Sequence, residues 1–156
     1  MYKTIGDLDS SIHYLSKALF LGDPKYKQKQ ITWKDIKALE IENSDNQLFV
    51  YLGPLADRFA QRFSIQGGST EDLKRALYLY QQTDQQLFNY SLMANDEASL
   101  NFLGEIVAKF YPNAIQTSFQ IYDITRKTQL IEQASYFLER MKSFSLYRDI
   151  YTSKNI

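Results

Sequence analysis

Residues 75–91 read RALYLYQQTDQQLFNYS, and whether Asp84 lies inside one helix or between two decides how the middle of the chain is built. Just before and within this stretch, Leu73, Ala76, Leu77 and Tyr80 fall on one buried helical stripe. A continuous helix would next place Asp84 at the centre of that stripe, where an unpaired carboxylate costs roughly several kcal/mol. Thr83 followed by Gln86 has the form of a capping box, and Asp84 can itself cap a helix. The sequence therefore predicts a break at Thr83-Asp84, with a second helix running to about Ala94. Leu77, Tyr80, Leu87 and Phe88 are assigned to the core. Tyr78 and Tyr90 lie off those stripes and are assigned to the surface.

Towards the N-terminus, Ser69 offers a cap for this helix, and Glu71 and Asp72 suit the positive end of its dipole. Before Gly67-Gly68, the residues Leu55, Phe59, Arg62 and Phe63 have helical spacing after Gly53-Pro54. Alternating Leu39 and Ile41, the turn residues 43–46 and alternating Leu48, Val50 and Leu52 predict a small β-hairpin near 38–52, with a helical reading of QLFVYL as the alternative. Thr32, with Asp35 three residues on, predicts a short helix over TWKDIKAL. KYKQKQ reads as a loop. Leu8, Ile12, Leu15 and Leu19 form one apolar stripe that ends at Gly22-Asp23-Pro24.

Towards the C-terminus, Asn95 or Asp96 caps a helix in which Leu100, Leu103, Val107 and Phe110 or Tyr111 share a face until Pro112. A further helix carries Ile115, Phe119 and Tyr122. The last carries Leu130, Ala134, Phe137, Met141 and Phe144, with Ile131 and Leu138 widening its face. The expected fold is mainly α: a compact, helical-hairpin-like bundle of six to seven short helices forming a single domain over 1–156, with 149–156 as a frayed tail.

The composition agrees with an ordinary globule. At 156 residues the chain can bury a sizeable core, and its 12 Tyr and 10 Phe must enter a core, a pocket or an interface. Without cysteine and with one histidine, disulfides and thiol chemistry are excluded and zinc or copper sites are short of ligands. The start MYKTIGDLDSSIHYL has acids where a secretory signal would be apolar, and no stretch approaches the length of a membrane span, so a cytoplasmic location is expected. Net charge is zero but uneven. Residues 1–37 carry seven Lys/Arg against four Asp/Glu, 38–108 four against ten, and 109–156 seven against four. That distribution argues against a surface built throughout for nucleic acid and permits contacts between copies.

Two segments carry a family likeness. SIHYLSKALFLGDP, residues 11–24, resembles the second helix of a tetratricopeptide repeat through Ser11, Tyr14 or Leu15, Ala18 and Pro24. Residues 98–122 resemble the first helix and the start of the second, through Leu103-Gly104 and Ala114-Ile115, with a shorter turn between. The resemblance implies paired helices that bind peptides or proteins, and it assigns no ligand residue.

No catalytic set emerges. His13 lies with Asp9 and Lys17 on a helix face away from the Leu stripe, which is an exposed charged face. Asp7-Leu8-Asp9, Glu71-Asp72 and Asp96-Glu97 sit at helix starts, where dipole and cap roles explain them. Gly67-Gly68-Ser69 lacks the Lys of a phosphate loop and is followed by acids. The expectation is a non-enzymatic adaptor or regulatory domain without cofactor or metal. It would bind another protein or a second copy of itself through Tyr78, Tyr90 and Tyr111, with no membrane partner. The alternative is nucleic-acid association through Lys25, Tyr26, Lys27, Lys29, Trp33, Lys34 and Lys37, which combine charge with stacking rings.

Overall fold

The computed structural model describes residues 5–41, 47–66 and 69–154. They form six α-helices: α1 (Ile5–Ala18), α2 (Trp33–Lys37), α3 (Phe49–Gln66), α4 (Thr70–Met93), α5 (Glu97–Thr125) and α6 (Gln129–Lys154). A 3-10 turn at Pro24–Tyr26 is the only other helical piece among the described residues, and these contain no strand. The mainly α expectation holds, but α3 to α6 are not short. They run for 18, 24, 29 and 26 residues.

Each difference in helix length has a local cause. The helix break at Thr83-Asp84 is absent, because Thr83 Oγ1 donates to the Leu79 carbonyl one turn back (2.7 Å) and so acts inside the helix instead of capping it. Asp84 is buried at 3% exposure and is not without an interaction there. Pro112 does not end α5 either. It leaves the Ala108 carbonyl without its helical donor, but both residues are exposed, so water can take the place of the missing N–H.

The hairpin near 38–52 is likewise replaced. The turn residues 43–46 lie outside the described residues, and from Phe49 the chain is helical. Phe49, Leu52, Leu55, Ala56 and Phe59 are all buried, which is a helical period and not an alternating one. Val50, on the opposite side, is exposed. Pro54 sits inside α3, and the carbonyl it leaves undonated is that of exposed Val50.

The chain divides into two compact units, residues 1–86 and 87–156, with the boundary inside α4. In the first unit α1 packs against α3 over a core that includes Leu8, Leu52, Leu55, Leu73, Leu79 and Tyr80, all fully buried. Arg62 of α3 ties three helices together. It donates to both oxygens of buried Asp72 on α4 (2.8 and 2.6 Å) and to Asp9 on α1 (2.9 Å). The bonds to Asp72, then the one to Asp9, raise the guanidinium pKa further and hold it charged. Tyr80 Oη donates to Asp57 (2.6 Å), and Arg58 Nε donates to Ser11 Oγ (3.1 Å).

In the second unit α5 and α6 form an antiparallel helical pair. Arg126 makes the reversal: it has φ 56° and ψ 22°, and its N–H donates to the Tyr122 carbonyl (2.7 Å). A left-handed C-cap usually falls to glycine, since a Cβ there costs about 1–2 kcal/mol. The core is largely aromatic, with Tyr111 at 6.2 Å from Phe137 and 5.9 Å from Phe144 between ring centres. At the far end of α6, Tyr151 Oη donates to the Asn95 carbonyl (3.2 Å).

Candidate functional site

In the first unit, the helices bring together rings and cations that are far apart in sequence. Trp33, half-buried at the start of α2, meets Phe59 and Tyr78 edge-on at 5.9 and 5.5 Å. Arg75 lies 5.4 Å from the Trp33 ring centre and 5.8 Å from that of Phe59, while Lys37 Nζ is 5.9 Å from Tyr78. Neither Arg75 nor Lys37 forms an ion pair with a described residue. Burial raises the Tyr78 hydroxyl pKa, so the ring stays neutral. Two separate sequence expectations, Tyr78 for protein contact and Trp33 with Lys37 for nucleic acid, thus fall on one patch. Arg75 and Phe59 belong to it and were not expected; nothing local marks them, because the patch exists only once α2, α3 and α4 are packed.

The rest of the basic segment is arranged differently. Tyr26 leans on Phe20 at 4.3 Å, with Lys25 and Lys29 about its ring at 5.5 and 5.3 Å. Lys29 is bound to Asp35 (3.0 Å), and that hydrogen bond raises the lysine pKa. Asp35 also closes the expected capping box with Thr32: the Thr32 N–H donates to it (2.9 Å), and the Asp35 N–H donates back to Thr32 Oγ1 (3.3 Å). The bond from the Thr32 backbone, followed by those from Lys29 and the Thr32 hydroxyl, lowers the carboxyl pKa to about 2. Lys27 and Lys34 are exposed. A groove beside Tyr26 is lined by Asp23, Asp35 and Glu40, three carboxylates that a phosphate backbone would meet at close range.

The second unit carries a different kind of surface. Of fifteen large hydrophobic residues exposed among those described, eleven lie in it, although it is the shorter unit. Leu92 and Met93 at the end of α4 are 71% and 77% exposed, and Leu146, Tyr147 and Ile150 of α6 are 62%, 46% and 44% exposed. Leu92 and Tyr147 share a groove of about 290 Å³ with Phe88 and Phe144. There Arg140 lies 4.0 Å over the Phe88 ring and 5.3 Å from that of Tyr136. Tyr90 is half-buried and meets Phe102 edge-on at 6.2 Å. Tyr111 is fully buried in the aromatic core and presents no area to a partner, which corrects its assignment to an interface. The exposed residues of α6 were missed, though Leu146 and Ile150, four apart and off the Phe137-Phe144 stripe, are a legible signal.

No group of three metal-ligating side chains occurs among the described residues, and none of the described helices is long and apolar enough to cross a membrane. His13 is exposed, with its ring against Tyr14. No protein-family model, no curated protein and no solved structure matches the chain. The tetratricopeptide likeness thus stands on its residues alone, and the turn it implies within 98–122 falls in the continuous helix α5.

Proposed function

We propose that the chain is a non-enzymatic interaction protein whose contact surface lies on residues 87–156. One observation carries this: the concentration of exposed aliphatic and aromatic side chains in the second unit, eleven of the fifteen. Single exposed hydrophobics are ordinary, but Leu92 and Tyr147 line one groove and Met93 and Leu146 adjoin them in the chain, a cluster that suits a surface another molecule covers. The contact residues are Leu92, Met93, Leu146, Tyr147 and Ile150, with Tyr90 and Phe102 as a neighbouring aromatic pair. The occupant is a protein, either a partner or a second copy.

Sedimentation of the full chain over a range of concentrations, with capture of partners from its own lysate, tests the proposal. The mass rises with concentration, or a protein is captured, and the double variant Leu92→Asp, Leu146→Asp abolishes that result. A monomer at every concentration that captures nothing sensitive to the double variant removes the reading.

A second reading is favoured by Arg75 and Lys37, which flank Trp33 and Tyr78 without an acidic partner among the described residues. It is nucleic-acid association through that patch. Retention on a polyanion column that collapses with salt, and is lost in Arg75→Glu, supports it; passage at low salt rules it out.

A further inference from the structure

The groove between α5 and α6 has a volume of about 500 Å³, within the range of about 300–1,000 Å³ usual for small-molecule sites. Leu100, Leu103, Val107, Met141 and Phe144 give it an apolar lining. Among the described residues, the charged side chains along it are Lys142 and Arg148, and no carboxylate lines it. From Leu100 to Ala108 it follows α5 for about 12 Å at 1.5 Å per residue, the reach of a medium-length alkyl chain.

The two cations are not equivalent. They are six residues apart on α6, about 9 Å along the axis, so one head group meets only one of them. Arg148 crosses the groove at Gly104. A Cβ on that glycine would stand 3.5 Å from Arg148 Nη1 and 3.7 Å from its Cδ, so the guanidinium lies where α5 has no side chain. Its acidic neighbour Asp149 is 3.9 Å away, with both side chains more than half exposed, too loose a pair to occupy the guanidinium fork. Lys142, by contrast, is bonded to Glu139 at 3.2 Å.

We propose that this groove binds an aliphatic monocarboxylate, with its chain along Leu100, Leu103, Val107, Met141 and Phe144 and its carboxylate on Arg148. The fork of an arginine accepts a carboxylate through two parallel N–H bonds, and the apolar lining takes the chain out of water. This site needs no protein partner, and it adjoins the contact surface proposed above, since Phe144 and Tyr147 line both grooves.

The test is a titration of the isotope-labelled full chain with decanoate below its micelle concentration, followed by amide NMR. Saturable shifts at Gly104, Val107, Ser145 and Arg148 are expected, and decyltrimethylammonium produces none of them. Arg148→Glu, an exposed position, weakens binding about tenfold or more, as loss of a charge-assisted contact does. Gly104→Leu fills the groove and removes the shifts; if that variant fails to fold, Arg148→Glu alone decides. Absence of saturable shifts, equal binding of the cationic amphiphile, or undiminished affinity in Arg148→Glu overturns the proposal.

Discussion

Tyr111 and Asp35 show how far a residue's type speaks for its place. Tyrosine suits a surface, yet Tyr111 falls between Phe110, Phe137 and Phe144 with no exposure, because α5 continues past Pro112 and carries the ring into the pair's interior. Tyr111→Ala should therefore destabilise the chain by about 3–5 kcal/mol, the range for deleting a buried aromatic, read as a lower urea midpoint. An interface residue would instead leave the midpoint nearly unchanged. Asp35, by contrast, is placed by its neighbours in sequence, and the expected capping box with Thr32 is present. Its pKa in the folded chain is depressed, so the stability it contributes is present above its ordinary value of about 4 and is lost as the pH falls towards 2. Titration of its carboxyl carbon by NMR should show a midpoint of about 2, displaced upward in Lys29→Ala, which removes the second-largest cause of the shift. A wild-type midpoint near the ordinary value would contradict the capping geometry.

Helices α3, α4 and α5 are each legible in part: the sequence marks α3 from Leu55, α4 as far as Thr83 and α5 as far as Pro112. The signals were the usual ones: alternation at Leu48, Val50 and Leu52, a capping pattern at Thr83, and prolines at 54 and 112. Each is ambiguous on its own, because the same residue can end a helix or be carried inside one. Thr83 spends its hydroxyl on Leu79, and the two prolines put their undonated carbonyls on exposed turns. The continuity of α4 is directly testable at Gln85. Were the helix to restart at Thr83-Asp84, proline at 85 would lie in a first turn and be tolerated. Within α4 it removes the bond to the Gln81 carbonyl and clashes with that turn, so Gln85→Pro should cost about 3 kcal/mol or more by urea denaturation, with loss of helical circular dichroism. The short helix α2 and the stripe of α1 were legible because a cap box and an i, i+4, i+7 stripe are local.

For the whole molecule, the division of exposed apolar surface between the units matters most. In the first unit several polar side chains pair internally, with Arg62 joining Asp72 and Asp9 and Tyr80 bound to Asp57. The second keeps Leu92, Met93, Leu146 and Ile150 outside. If those side chains serve contact and not folding, Leu92→Asp and Leu146→Asp should shift the unfolding free energy by no more than about 0.5 kcal/mol each while changing association. Comparing urea midpoints with sedimentation of the same variants checks both halves of that statement. Net charge near zero gives such a surface little long-range repulsion between copies.

The sequence by itself determined the mainly α class, the stripe of α1, the capping box of α2 and the core role of Tyr80, Leu87 and Phe137, since periodicity and caps are properties of neighbours along the chain. It also excluded thiol chemistry, which composition alone decides. Only the tertiary structure decided that Asp84 is buried inside a continuous helix, that Tyr111 is core, that Trp33, Tyr78 and Arg75 share a patch, and that Arg148 crosses Gly104. Burial, ion pairing and groove shape depend on residues brought close from other helices. In RALYLYQQTDQQLFNYS, the Thr83 hydroxyl bonds back to Leu79 inside one helix, and the break that its capping pattern favours does not form.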